Sequence, residues 1–243
     1  TGSRITCRER LQSCKLTNLP SFLSNTSRRS ALERMSAEDE CPVRAYMDDE
    51  NIQWLHGKPD YSKVNLKYLK EKTKRHKAGS LEKLVENLVK TWEMESSHKV
   101  REEDWKSVEN EVFTISSNGG CPMNLKDNIT LGNYNILLAD CPLYNAKDET
   151  NESSHKLFRS TFLDGFAWEL LELFSGPPVV SFSWRHWGTW TGDHRGVKAT
   201  GEVINMYGSC VVRVNEDLKI QSIEVYYDPN PMMAKLTNFK LFE

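Results

Sequence analysis

Residues 166–190, FAWELLELFSGPPVVSFSWRHWGTW, decide the fold class of this chain of 243 residues. Aromatic and β-branched residues are dense on both sides of the turn sequence SGPP (175–178). Apolar runs of this kind, separated by Gly and Pro, are typical of two strands joined in a hairpin. We therefore predict strands over Trp168–Phe174 and Val179–Trp190, although the paired leucines of the first run also fit a helix.

Two more strands are predicted downstream and one helix upstream. Val203–Val214 and Ile220–Tyr227 have the same strand character and are joined by a polar turn. Ser80 is a natural N-cap, and a helix over 81–98 follows it with one apolar stripe. That stripe contains Leu81, Leu84, Val85, Leu88 and Trp92. At about 100° per residue, Glu95 falls on the stripe, whereas Glu93 and Met94 point away.

The order of the elements predicts one α+β domain, in which helices precede an antiparallel sheet. A shorter strand is predicted over Val112–Ile115. Hydrophobic residues make up 38% of the chain and aromatic residues 10%, which is enough for a sizeable core.

Charge and hydropathy exclude several classes of protein. Lysine and arginine number 32 against 34 acidic residues, a balance that argues against a dedicated nucleic-acid binder. No apolar run approaches the roughly 20 residues that span a bilayer. The six cysteines form no CxxC pair, and we recognise no secretory signal, so we expect reduced thiols and a cytoplasmic location.

Residues 1–34 differ from the rest of the chain in composition. They carry a net charge of +5 and are rich in serine, which suits an organellar transit peptide. Met35 opens an ordinary start sequence, so translated upstream sequence is the competing interpretation, and both predict disorder. We divide the remainder into an extended segment over 35–60, a domain over 61–230 and a C-terminal tail over 231–243.

Strand alternation places single ionisable groups on apolar faces. His186 interrupts the face of Val180, Phe182 and Trp184, and Glu202 interrupts the face of Ile204 and Met206. An unpaired buried charge costs several kcal/mol, so such groups need partners or a cavity.

Several long motifs are similar to the plant pathogen-related proteins, which carry SnoaL-like domains of the nuclear-transport-factor-2-like superfamily. The first is LEKLVENLVKTWEMESSHK, at 81–99. The similar stretches further along are 153–192, 200–208 and 218–229, and WLHGKPDYSKVN (54–65) resembles the segment that leads into the domain. The resemblance spans roughly 40–230, nearly collinearly, and does not extend to 1–34.

The resemblance implies a cystatin-like cone, in which a curved antiparallel sheet wraps around the N-terminal helices and encloses an apolar pocket. It implies binding of a hydrophobic small molecule in a setting of plant defence, with no cofactor and a homodimer among the expected assemblies. Relatives include cyclases, isomerases and epoxide hydrolases, so cofactor-independent acid/base chemistry is the expected reaction type. A non-catalytic carrier or a protein-interaction scaffold is the alternative.

The candidate catalytic residues are His186, Glu95, Glu202 and Asp228. Each has a structural interpretation: a core histidine, a salt-bridged helix residue, a cross-strand partner of Arg185 or Arg213, and a turn cap. The residues expected to line the pocket are Trp92, His98, Trp184, Trp190, Tyr226 and Tyr227. No metal site is predicted, since His186 and His194 have no supporting carboxylate pattern. An enzyme should bring at least two ionisable groups within hydrogen-bond reach of one point of the cavity, whereas a carrier needs one orienting group at most.

Overall fold

The computed structural model describes residues 41–139 and 141–239. The predictions for 1–34 and for the first residues of the extended segment lie outside these ranges. Within the described part of that segment, 41–60, Trp54 forms an isolated bridge with Lys99. The backbone N–H of Leu55 also donates to the carbonyl of His98, 2.8 Å away. The segment is therefore fixed against the end of the long helix.

Two helices precede the sheet in the described residues. Helix α1 spans Ser62–Glu71 and helix α2 spans Leu81–His98. The Ser80 hydroxyl accepts a hydrogen bond from the backbone N–H of Lys83, as the predicted N-cap requires. The predicted helix is thus confirmed at both ends.

The predicted hairpin and the two strands after it are confirmed. Strand β3 spans Ala167–Ser175, β4 Val179–Thr189, β5 Val203–Val214 and β6 Ile220–Tyr227. Each of these strands pairs antiparallel with the next along the chain. Register shifts interrupt β3 twice and the β5–β6 pair once, and such bulges bend the strands.

The sheet is mixed and not purely antiparallel, which corrects one part of the prediction. Strand β1 spans Thr114–Ser117, two residues later than predicted, and strand β2 is the dipeptide Met123–Asn124. Strand β1 pairs parallel with β6, and the order across the six described strands is β2-β1-β6-β5-β4-β3. The chain returns to pair with β1 only after forming three helices and the four strands β2 to β5.

Shorter helices complete the domain. Helix α3 spans Leu125–Leu131, α4 Asn133–Leu137 and α5 Asn151–Thr161, with 3-10 turns at Glu102–Asp104 and Ala146–Asp148. The residues predicted as a tail instead begin with helix α6, Asn230–Thr237. Its Met232, Met233 and Leu236 side chains are buried, so this helix belongs to the core.

The core lies between helix α2 and the sheet. Val85 and Trp92 of α2 are buried, and so are Phe182 and Trp184 on the facing side of β4. The α+β prediction is therefore confirmed, with the helix and the bent sheet enclosing an internal space as a cone requires. Within the described residues, no helix is long and apolar enough to cross a membrane.

Candidate functional site

A chamber of about 150 Å³ lies between α2 and the sheet. Its wall is almost entirely apolar and is built by α2, α4, α6 and strands β3 to β6. The apolar members of the wall include Val85, Leu88, Trp92, Leu137, Val180, Phe182, Trp184, Met206, Val212, Ile223, Val225 and Met232.

A second cavity of about 420 Å³, which we call the vestibule, adjoins the chamber. It lies between the extended segment (41–60), α1, α2 and α5. Its polar wall residues include Arg44, Tyr61, His98, His155 and Arg159. The two cavities share the wall residues Lys90, Glu93, Ser97, Tyr134, Phe166, Trp168 and His186. We call three members of this shared wall, Lys90, Glu93 and His186, the junction, and Tyr134 is a fourth ionisable group beside them.

His186 enters the junction from strand β4. Its imidazole stacks on the Phe166 ring at 3.9 Å between centroids, and Nε2 lies 3.3 Å from the Phe166 carbonyl oxygen. Burial lowers the pKa of His186 to about 4, and the nearby charge of Lys90 adds to this effect. The imidazole is therefore neutral near pH 7 and able to accept a proton.

Glu93 enters the junction from helix α2. Burial raises the pKa of its carboxyl group, while the positive charges of Arg44 and Lys90 oppose that rise. A carboxyl group with a raised pKa is suited to proton transfer near neutral pH.

Lys90, one turn before Glu93, is the most buried member of the junction, with 2% of its surface exposed. Its Nζ lies 3.6 Å from Glu86 Oε1 and 3.4 Å from the centre of the Tyr68 ring. Burial lowers the pKa of Lys90 to about 7, against the opposing attraction of Glu86. Near pH 7 the amine is therefore present in both its protonated and its neutral form.

The vestibule wall holds a group of aromatic and imidazole rings. The His98 ring lies 5.1 Å from the His155 ring and 5.9 Å from the Tyr61 ring, between centroids. Burial is the largest cause that lowers the pKa of His98 to about 3 and that of His155 to about 4. Both imidazoles are therefore neutral near pH 7.

Buried polar atoms without a hydrogen-bond partner concentrate at these cavities. In the described part of the chain, eight buried side-chain atoms lack a partner. Those on chamber or vestibule residues are Arg44 Nε, Tyr61 Oη, Lys90 Nζ, Trp92 Nε1, His98 Nδ1 and Trp184 Nε1. These atoms are themselves buried, so none of them is open to either cavity.

Glu95 does not reach the cavities, although the sequence placed it on the cavity side of α2. Its carboxylate accepts hydrogen bonds from Lys99 Nζ at 2.9 Å and from the backbone N–H groups of Lys106 and Ser107. The Ser107 hydroxyl donates to it as well, at 2.6 Å. The expectation that Glu95 faces the cavity and Glu93 points away is therefore wrong, because Glu95 anchors the loop after α2.

Glu202 and Asp228 also lie away from the junction. Glu202 pairs with Lys235 at 2.6 Å, not with Arg185 or Arg213, and lines a surface depression beside α6. Asp228 is exposed and accepts hydrogen bonds from the backbone and side chain of Asn230. Its position is that of the turn cap named as the structural alternative.

Most of the aromatic residues expected at the pocket line it. Trp92, Trp184 and Tyr227 belong to the chamber wall, and His98 belongs to the vestibule. The Tyr227 hydroxyl donates to the Leu137 carbonyl at 2.8 Å. Trp190 lines the surface depression instead, and Tyr226 is exposed with its hydroxyl donating to Glu224.

The sequence analysis missed Lys90, Glu93, Arg44 and Tyr134. A signal was present for the first two, because Lys90 interrupts the apolar run from Leu88 to Trp92 and Glu93 directly follows it. Arg44 lies in a segment with no periodic pattern, and no pattern in the sequence marks Tyr134 as a site residue. His194 was considered with His186 as a pair of metal ligands. Its Nδ1 instead forms a hydrogen bond with the Thr161 hydroxyl, 2.9 Å away. The described residues contain no group of three or more His, Cys, Asp or Glu arranged to hold a metal ion.

The fold and the site define an α+β cone domain with an internal chamber. No protein-family model matches the chain. It is 38% identical over 194 residues to the pathogen-related protein of Hordeum vulgare, covering 76% of this chain and 83% of that protein. The chain therefore belongs to the pathogen-related protein family.

Solved structures similar to this chain come from bacteria. A protein of Acidithiobacillus ferrooxidans, provisionally described as a polyketide cyclase, is 16% identical with a TM-score of 0.40, over 68% of this chain and all (100%) of that one. A provisionally described SnoaL-like polyketide cyclase of Jannaschia sp. is 10% identical with a TM-score of 0.38, over 67% and 98% of the two chains. Likeness at this level carries no information on chemistry.

Proposed function

We propose that this protein binds a lipophilic small molecule, with the apolar part in the chamber, and transfers protons on it without a cofactor. The observation that carries the proposal is the junction, where Lys90, Glu93 and His186 meet at the boundary between an apolar and a polar cavity. A substrate that spans this boundary has its polar group beside two residues able to exchange protons. A setting in plant defence fits the name of the barley relative.

Burial of apolar surface supplies the binding energy in such a site. Each CH₂ group transferred from water into the chamber contributes about 0.8 kcal/mol. The polar groups at the junction then fix the orientation of the ligand, as in most small-molecule sites.

The protonation states of His186 and Glu93 support proton transfer at the junction. The neutral His186 imidazole is a base, and the Glu93 carboxyl group, with its raised pKa, is an acid or a base according to its charge. A pair of groups whose environments move their pKa values differently is a typical acid/base arrangement. The expected reaction is removal of a proton from a carbon next to a carbonyl group and its return at the same or another atom.

Two neighbouring positions of β5 provide the test of binding. Val212 lines the chamber, whereas Val211 lies on the opposite face of the strand. We expect Val212→Phe to weaken binding of the neutral probe N-phenyl-1-naphthylamine at least tenfold, and Val211→Phe to leave it unchanged. Leu88→Phe fills the chamber from α2, so it repeats the test from another element if Val212→Phe does not fold. Equal binding by the three variants and the unmodified protein would place the probe elsewhere and refute the proposal.

Deuterium incorporation provides the test of proton transfer. Decan-2-one in D₂O should exchange its α-protons faster with the protein than with Val212→Phe. We expect Glu93→Gln or His186→Asn to lower that rate at least tenfold while probe binding persists. Binding without any enhanced exchange would favour the carrier, an alternative supported by the almost wholly apolar chamber wall.

A further inference from the structure

We propose that the ligand is an amphipathic carboxylic acid, with its chain in the chamber and its carboxylate in the vestibule beside Arg44. This inference rests on the proposed function, because it names the class of molecule that the chamber takes. It follows from two features of the vestibule wall: a guanidinium that its neighbours hold in place and a positive balance of charge.

Arg44 is held in position to receive an anion. One terminal nitrogen of its guanidinium donates to Asn65 Oδ1 at 2.9 Å. The guanidinium also stacks over the Tyr61 ring, 3.7 Å from its centre, and Arg44 lines the vestibule. A guanidinium held in this way loses little entropy when its remaining N–H groups bind a carboxylate, which arginine binds well.

The charges of the vestibule favour an anion over a neutral or cationic group. Arg44, Lys63 and Arg159 line it on the positive side, against Asp60 and Glu93. Lys90 also lines it but adds little charge at pH 7.5, because burial lowers its pKa to about 7 and its Nζ lies 3.6 Å from Glu86. The Asp60 carboxylate already accepts hydrogen bonds from the backbone and hydroxyl of Ser62. Burial raises the pKa of Glu93 and so favours its neutral form. A cleft with a positive balance attracts anions before contact is made.

The apolar chamber excludes a purely hydrophilic anion as the preferred ligand. The anion-binding groups stand at the edge of a wall made of aliphatic and aromatic side chains, which only a hydrocarbon portion can cover favourably. The combination of an apolar body with a single carboxylate matches both cavities.

Three ligands of equal chain length provide the test. Decanoate, decan-1-ol and decylamine should be compared at pH 7.5 by displacement of N-phenyl-1-naphthylamine. We expect decanoate to bind at least tenfold more tightly than decan-1-ol, with decylamine weakest. Arg44→Gln should remove the advantage of decanoate and leave decan-1-ol unchanged. Lys58→Gln is the matched control, because Lys58 is exposed, pairs with Asp48 and lies outside the vestibule wall.

The outcomes separate this inference from the proposed function. Equal binding of decanoate and decan-1-ol, or stronger binding of decylamine, would overturn the carboxylate assignment while leaving a lipophilic chamber. Failure of the probe to bind at all would contradict the proposed function itself. If Arg44→Gln does not fold, Arg159→Gln serves instead, since Arg159 is exposed, and a two- to threefold loss of decanoate affinity is expected.

Discussion

At the scale of single residues, the Glu95 carboxylate has a structural role. It forms a fully buried ion pair with Lys99, at 2.9 Å, and accepts two backbone hydrogen bonds from the following loop. We expect Glu95→Gln to lower the free energy of unfolding by about 3 kcal/mol, because it leaves the buried Lys99 charge without an acidic partner and with only the Asp104 carbonyl oxygen to accept its hydrogen bond. Urea unfolding at pH 7 measures this directly.

Glu93→Gln, two residues away on the same helix, is the matched control. Burial disfavours the charged form of Glu93, so its removal should leave the free energy of unfolding unchanged or slightly higher. The same variant should abolish the α-proton exchange proposed for the junction. A Glu93→Gln protein destabilised as much as Glu95→Gln would show that both carboxylates are structural.

The exchange of roles between these two glutamates shows where sequence reasoning failed. Leu81 and Leu84 are partly exposed, at 36% and 42%, and counting them as core turned the predicted apolar face toward Glu95. The stripe that lines the chamber is Val85, Leu88, Val89 and Trp92. Glu93 and Glu95 flank it at about 80° on either side, so helical periodicity alone cannot distinguish them.

At the scale of elements, the packing of the chamber wall depends on the close contact of β5 with β4 and β6. Gly208 of β5 has no room for a side chain, since a Cβ there would meet the Trp184 ring and lie 2.6 Å from the Tyr226 carbonyl oxygen. We expect Gly208→Ala to lower the free energy of unfolding by about 1–3 kcal/mol, as overpacking does. It should also weaken probe binding, because Trp184 lines the chamber.

Gly176→Ala is the control for this prediction. A Cβ at that position meets only the end of the Leu81 side chain, at 3.0 Å, and Leu81 can move. Its free energy of unfolding should change by less than about 0.5 kcal/mol, as surface substitutions usually do. If Gly208→Ala were as stable as Gly176→Ala in urea, the described wall would not be tightly packed there.

Local elements were predictable from the sequence and nonlocal ones were not. The hairpin of β3 and β4 and the β5–β6 pair are confirmed because adjacent strands and short turns carry their own signals. The parallel pairing of β1 with β6 joins segments about a hundred residues apart, and no local pattern encodes it. Helix α6 had a signal, the buried set Met232, Met233 and Leu236, which its terminal position obscured.

At the scale of the whole molecule, buried histidines make stability depend on pH. Burial lowers the pKa of His98 to about 3 and those of His155, His186 and His194 to about 4. The unfolded chain, with values near 6.5, therefore binds more protons below that pH, and stability falls as pH falls. We expect a loss between pH 7 and 5 of about 1–2 kcal/mol for each histidine. Glu93, whose pKa is raised, acts in the opposite direction but is a single group.

His155→Phe tests this dependence, since the new ring can occupy the same aromatic contacts with His98 and Tyr134. The loss of unfolding free energy in urea between pH 7 and 5 should shrink by about 1–2 kcal/mol, the share of one histidine. His56→Asn should change it much less, because His56 is exposed. An identical loss in His155→Phe and the unmodified protein would refute the assignment.

The site as a whole emerges only when distant segments converge. The sequence identified the aromatic wall and His186, because strand alternation places them on one face. The vestibule is lined by the extended segment at Arg44, by helix α1 and by helix α5 at His155. No pattern in the sequence predicts that these three elements lie together. The criterion for an enzyme was two ionisable groups within hydrogen-bond reach of one point of the cavity. Lys90, Glu93 and His186 all line both cavities, and the deuterium-exchange experiment tests whether they act together on one ligand.

Native mass spectrometry of the protein purified from a plant host, before and after denaturation, tests the central claim most directly. We predict that a small lipophilic acid is bound to the folded protein, is released on unfolding and is absent from Val212→Phe. Folded protein that has the mass of the bare chain, and gains none on incubation with decanoate or decan-1-ol, would contradict a ligand-binding chamber. The same species on Val212→Phe and the unmodified protein would place the ligand outside the chamber and contradict the account equally.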